Sequence, residues 1–206
     1  MSVTVITYDR AVGRWEPNAR GRLAQAALTL YAQQGFEQTT AAEIARLAGL
    51  TERTFFRHFA DKREVLFYGV DAVGDILVRA VAEAPSSAGP MDAVGAGLQA
   101  VAEMVQETPE VARQRYAIVS AHAELREREL AKHAELAAAM AGGLRDRGVP
   151  EPAASLAAET GVAVYRVAFA RWIGDPARDL RGILRESVEE LRDLLAGQLV
   201  SVPSPS

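Results

Sequence analysis

Arg53 and Arg57 lie four residues apart in a short segment opened by Thr51, so on a helix they share one face. Two planar, multiply donating cations at that spacing suit the recognition of nucleic acid. The elements that must hold them are written around them, between Thr39 and Leu66. Thr40 is followed three residues later by Glu43, the spacing at which each side chain satisfies a backbone N–H at a helix start. A helix therefore begins near Ala41, runs through Glu43, Ile44, Ala45 and Leu47, and meets Gly49, the residue that most cheaply makes a left-handed exit. Thr51 caps a second short helix, Glu52 to Phe59, whose Phe55 and Phe59 share a face turned to the core. Asp61, with Glu64 three residues on, opens a third helix by the same logic. Two short helices about a tight glycine turn form a helix-turn-helix, which lays its second helix in the DNA major groove.

Covalent and metal chemistry find no comparable support. The 206 residues include no cysteine, which removes disulfides, thiolate metal sites and a thiol nucleophile. His58, His122 and His133 make no metal spacing with nearby carboxylates, and helical histidines of this kind are more often solvated or packed. With no nucleophile-base pair, carboxylate metal cluster or Gly-rich phosphate loop, the chain is expected not to be an enzyme and to need no cofactor. No apolar run approaches the roughly 20 residues that cross a bilayer, and residues 1–16 carry no apolar core of a signal peptide, so a cytoplasmic location is expected. The net charge of −4 hides an asymmetry: residues 1–70 hold nine Lys/Arg against seven Asp/Glu, the remainder fourteen against twenty. Because attraction to phosphate is local on the scale of a Debye length, about 8 to 10 Å, a mildly basic module on an acidic body can still dock on DNA.

The fold class expected is all-α, since no stretch alternates with the period of a strand. Residues 1–16 form an arm, either without a role or reaching a neighbouring minor groove with Arg10 and Arg14. Asn18 to Gln34 forms the first helix, with Leu23, Ala26, Ala27, Leu30 and Tyr31 at helical spacing and Gly35 as its stop; Phe36 tucks into the core. Residues 17–60 thus make the DNA-binding domain, 61–84 a long connecting helix and 85–199 a helical body, followed by a disordered tail at 200–206. Within the body, PSSAGP at 85–90 breaks the chain, Thr108 and Pro109 start one helix, and 117–147 is nearly unbroken helix former with a weak point near His122. Further helices run from Pro152 to Ile173 and from Ala177 to about Leu199.

Residues 18–70 resemble the TetR family of one-component transcriptional regulators, and the rest resembles it in architecture. The resemblance is carried by Arg20, Leu23, Ala26, Ala27, Gly35-Phe36, Thr39, Thr40, Ile44, Ala45, Ala48-Gly49, Thr51, Phe55, Phe56, Arg57, His58, Phe59, Lys62 and Leu66. Two positions depart from the pattern. Phe56 stands where the family usually has tyrosine, which removes a phenol contact to phosphate, and Gly21 in the first turns of helix one weakens that helix by up to about 1 kcal/mol relative to alanine. The resemblance implies that Thr40, Thr51, Arg57, His58 and Lys62 touch phosphates. It places Glu52, Arg53 and Thr54 at base edges, Arg53 taking guanine O6 and N7 together. Phe56 either meets a thymine methyl group or makes no base contact.

The resemblance further implies a homodimer joined through residues 151–199, a palindromic double-stranded operator, and a small-molecule inducer that releases a repressor from it. In the sequence, the helix near 151–173 is apolar on several sides, whereas the last helix carries one stripe, Leu180, Leu184, Val188, Leu191 and Leu195. Met104, Tyr116, His122, Tyr165, Arg166, Phe169 and Trp172 are candidates to line an inducer cavity, although aromatic and methionine residues at helical spacing are more often core. Arg166 needs an acidic partner, which is Glu159, an acid of another helix or an anionic ligand. The alternative function is a sensing helical dimer of the same fold that does not use DNA.

Overall fold

The computed structural model describes residues 19–175 and 177–197. All its regular elements are helical, as expected: α1 (Ala19–Gln34), α2 (Ala41–Leu47), α3 (Glu52–His58), a 3-10 turn (Glu64–Phe67), α4 (Val70–Glu83), α5 (Pro90–Gln106), α6 (Pro109–Ala121), α7 (Ala123–Asp146), α8 (Ala153–Gly174) and α9 (Leu180–Leu195). Among the described residues no helix is long and apolar enough to cross a membrane. The arm with Arg10 and Arg14 and the tail lie outside the described residues.

Contacts divide the chain into two units, and the division is not the one the sequence suggested. The first unit joins residues up to Val73 with Thr108–Lys132, and the second joins Gly74–Glu107 with the chain from His133 onward. Helix α6 and the first turns of α7 therefore belong with the helix-turn-helix, because side chains on them satisfy its backbone. Gln114 Nε2 donates to the carbonyl of Leu28 at 2.8 Å and Arg115 Nε to that of Leu66 at 2.7 Å. Val119 and Leu125 complete a core built from Leu23, Ala27, Tyr31, Phe36, Ile44, Phe55, Phe59 and Leu66.

The long connecting helix expected over 61–84 does not form. Asp61 accepts from the backbone amides of Arg63 (2.7 Å) and Glu64 (3.1 Å), but the Glu64 carboxylate turns away to pair with Arg128, so no capping box closes. Val65, Leu66 and Phe67 are buried together in the core of the first unit, held in a 3-10 turn rather than an α-helix. The chain then leaves the 3-10 turn through Gly69 at φ 96°, a left-handed conformation that ends one helix and lets α4 start afresh. The weak point near His122 is a full break: its φ of −124° and ψ of 124° separate α6 from α7. The last helix starts at Leu180 rather than Ala177, capped by Asp179, which accepts from the amide of Gly182 at 2.8 Å.

In the second unit α8 packs against α5 and α9. Its buried face is made mostly of small residues, Ala154, Ala157, Ala158, Gly161 and Ala168, with Val164 among them and Trp172 at one end. The small side chains permit a close approach to α5: a Cβ on Gly161 would lie 2.3 Å from Val94 Cγ1. The opposite face of α8 carries Leu156, Glu159, Ala163, Arg166 and Val167, all exposed. Thus α8 is apolar on several sides as read, and Leu156, Ala163 and Val167 on this face, beside Glu159 and Arg166, are left uncovered by the described residues.

Candidate nucleic-acid interface

Both expected caps of the reading head are present. Thr40 Oγ1 accepts from the amide of Glu43 at 3.2 Å while the Glu43 carboxylate accepts from the amide of Thr40 at 2.9 Å, closing the capping box of α2. Those bonds, the backbone amide first and then the Thr40 hydroxyl, hold the Glu43 carboxyl below the usual range. Gly49 makes the turn at φ 68°. Thr51 Oγ1 then accepts from the amide of Thr54 at 3.2 Å, and the two threonine hydroxyls lie 2.9 Å apart. Half-buried Thr54 is thereby occupied in part with the cap.

Helix α3 has two faces set by 3.6 residues per turn. Phe55 and Phe59 are buried, their ring centroids 5.7 Å apart, while Glu52, Arg53, Phe56 and Arg57 form a continuous exposed arc. His58 is half-buried. The structure thus brings Glu52, Arg53, Phe56 and Arg57 to one surface and turns Thr54 and His58 toward its edges.

Lys62 differs from expectation. Its ammonium donates to the carbonyls of Phe36 (2.8 Å), Glu37 (3.0 Å) and Thr39 (3.1 Å) and rests 4.5 Å from the centroid of the Phe36 ring. An ammonium has three hydrogens, and three carbonyls engage them here, which leaves no donor for a phosphate. Lys62 ties down the segment leading into the Thr40 cap. Its own carbonyl accepts the Tyr31 hydroxyl at 2.6 Å; burial, and secondarily the charge of Asp61, push that phenol well above its ordinary range.

Two arginines that sequence reasoning passed over do similar work. Arg22 on α1 donates through Nε to the carbonyl of Ala48 at 3.1 Å and through Nη2 to those of Ala48 and Gly49, clasping the turn between α2 and α3. Arg115 on α6 bonds Leu66 as described, pairs with Glu129 at 3.0 Å and lies 5.2 Å from the Phe67 ring centroid. Their partners are backbone carbonyls 26 and 49 residues away, so no local pattern marks them.

The candidate ligand residues divide between the two units. Tyr116 and His122 belong to the first unit; Met104, Tyr165, Arg166, Phe169 and Trp172 belong to the second. His122 packs on Phe36 with ring centroids 5.0 Å apart, and its Nδ1 lies 2.9 Å from the carbonyl of Ile118, so it is part of the head's core boundary. Tyr165, Phe169 and Trp172 do form a continuous aromatic run on α8, with successive centroids 5.6 and 5.5 Å apart. Arg166 is exposed on the other face, so no buried charge demands Glu159 as its partner. The arginine of α8 that binds acids is Arg171, 2.9 Å from Glu190 and 3.4 Å from Glu186. A concavity of about 200 Å³ lies elsewhere in the second unit, lined by Ala134, Ala137, Ala138, Ala141, Arg145, Ser155 and Glu159.

Residues 23–68 match the family model of the tetR family of bacterial regulatory proteins, and residues 88–196 match that of the MftR C-terminal domain. The HTH-type transcriptional regulator TcmR of Streptomyces glaucescens is 35% identical over 88 residues, 43% of this chain and 39% of that protein, so the match spans about two fifths of the curated relative. The TetR-family repressor FadR of Thermus thermophilus, solved with lauroyl-CoA, is 26% identical at a TM-score of 0.56, covering 91% of this chain and 99% of its own. A TetR-family regulator from Syntrophomonas wolfei shares the fold at a TM-score of 0.65 and 16% identity, covering 90% and 98%. With a reading head built by two threonine caps about a glycine turn and with family models matched over both its parts, the chain belongs to the TetR family of bacterial regulatory proteins.

Proposed function

We propose that the protein is a homodimeric repressor that holds a palindromic operator through α3 and releases it when a small molecule binds its helical body. The observation that carries this reading is the exposed arc of Glu52, Arg53, Phe56 and Arg57 on a capped, rigidly backed helix. Arg53 supplies a bidentate donor for guanine, Glu52 an acceptor for a cytosine amino group, and Arg57 a phosphate contact. Thr40 and Thr51 cap helix starts whose first backbone amides face the backbone of the duplex. Support for a dimer comes from the uncovered face of α8, with Leu156 64% and Val167 55% exposed, and from Leu194 and Leu195 at the end of α9. Isolated apolar residues on a surface need no partner, but a row along one helix does.

For the ligand, the aromatic run Tyr165, Phe169 and Trp172 supports a molecule with an apolar portion, and lauroyl-CoA, bound by the Thermus relative, is the first compound to test. The experiment is selection of duplexes from a random pool by the purified protein, followed by binding titrations across salt. A palindrome bound with affinity that falls steeply as salt rises is the expected result. A stable dimer that enriches no sequence even at low salt sinks the reading in favour of a sensor that does not use DNA. Lauroyl-CoA that raises the melting temperature and releases the selected duplex assigns the ligand class; the absence of both effects rejects that class and leaves the DNA assignment standing.

A further inference from the structure

We propose that Phe56 is a specificity-determining residue that reads the 5-methyl group of thymine in the major groove; the inference rests on the DNA-binding reading above. At 3.6 residues per turn Phe56 falls between Glu52 and Arg53, at the middle of the exposed arc of α3. It is 53% exposed, on a seven-residue helix whose other aromatic residue, Phe55, is fully buried. Phe55 lies beneath it edge-on, with centroids 5.3 Å apart and planes at 83°, and thus supports the outward-facing ring from within the core. The ring has no polar atom, so it neither donates to a phosphate nor pairs with a base edge. Among the groups the major groove presents, one is apolar, the thymine methyl. A rigid hydrophobic side chain flanked by Arg53 and Glu52 therefore matches a thymine beside a G·C pair, with the polar neighbours taking guanine or cytosine and the ring covering the methyl.

The test replaces thymine by deoxyuridine, one position at a time and in both half-sites, in the duplex the protein selects from a random pool. This change deletes the methyl and keeps every hydrogen bond. The expected result is one thymine per half-site, adjacent to a G·C pair, whose replacement weakens binding about fourfold per half-site, the magnitude of burying a single carbon, and so on the order of fifteenfold for the symmetric duplex. In Phe56→Ala the thymine and uracil duplexes bind equally at that position, whereas Phe56→Leu keeps part of the preference. A wild-type protein indifferent to uracil at every position overturns the proposal, and this arm requires no variant to fold. A Phe56→Ala protein that loses affinity but still discriminates by the same factor also overturns it, and points to packing of the ring on deoxyribose. Failure to enrich any duplex sinks the DNA-binding reading itself, which separates the two failures.

Discussion

The Lys62 ammonium lies 2.8 Å from the Phe36 carbonyl oxygen and 4.5 Å from the centroid of the same residue's ring, so one cation closes both the backbone and the face of a core aromatic. Glu37 and Thr39 supply its other two acceptors, and the next residue is Thr40, the cap of α2. The latch therefore sets where the helix-turn-helix begins.

A latch and a phosphate contact respond differently to salt. Removing a phosphate contact lowers the slope of log affinity against log salt by about 0.9, because one fewer counterion is released. For Lys62→Met we expect weaker binding and a loss of stability on the order of 2 kcal/mol, from charged hydrogen bonds made to partly buried carbonyls. The salt slope should match that of the wild type. A slope reduced by about 1.8, one contact from each protomer of the dimer, would return Lys62 to the phosphate backbone.

The Glu43 carboxyl titrates below its ordinary value of 4.5 because the folded state bonds the charged form. A depressed carboxylate contributes stability above its unfolded value and loses it as pH falls through the folded value. Asp61 follows the same direction: burial opposes ionisation, but the Arg63 side chain and the amides of Glu64 and Arg63 outweigh it. Melting temperature should thus fall as pH drops below 4.5, and Glu43→Gln should flatten that fall while keeping a neutral cap. Identical pH profiles for the two proteins would remove Glu43 from the linkage.

In the interior of α8, alanine ordinarily favours a helix over glycine by up to about 1 kcal/mol. Gly161→Ala should nevertheless destabilise the protein by roughly 1 to 3 kcal/mol, since its Cβ meets a stiff, branched Val94 at 2.3 Å and overpacking decides the sign. Val94→Ala in the same chain should recover most of the loss. Chemical denaturation of the two single variants and the double variant checks the coupling, and additive losses would contradict it.

Leu156 and Val167 lie on the outward face of α8 and make little contribution to the core of their own chain. A charge at either, Leu156→Glu or Val167→Glu, should leave helix content unchanged and convert a dimer to monomers in sedimentation experiments. Operator affinity should drop by more than tenfold once the two heads bind independently, as the loss of linked binding requires. A dimer that survives both substitutions places the interface elsewhere.

Local rules determined the reading head. Thr40 with Glu43, Gly49 and Thr51 act on backbone groups within four residues of themselves, so the sequence alone located α2, the turn and α3 and exposed the arginine face. The all-α class was legible for the same reason, through periodicity and stops such as Gly35. What depended on distant partners was not. Asp61 and Glu64 have the spacing of a capping box, yet Arg128, 64 residues on from Glu64, takes its carboxylate, and the buried 3-10 turn of Val65, Leu66 and Phe67 ends where Gly69 takes a left-handed conformation. Lys62 looks like a free cation until the fold brings three carbonyls to it, and Arg22 and Arg115 gain their roles in the same way. Side-chain identity and spacing fix hydrogen bonds closed within a turn or two of helix. Only tertiary packing decides which cations are consumed by the protein's own carbonyls and which remain on the surface for DNA.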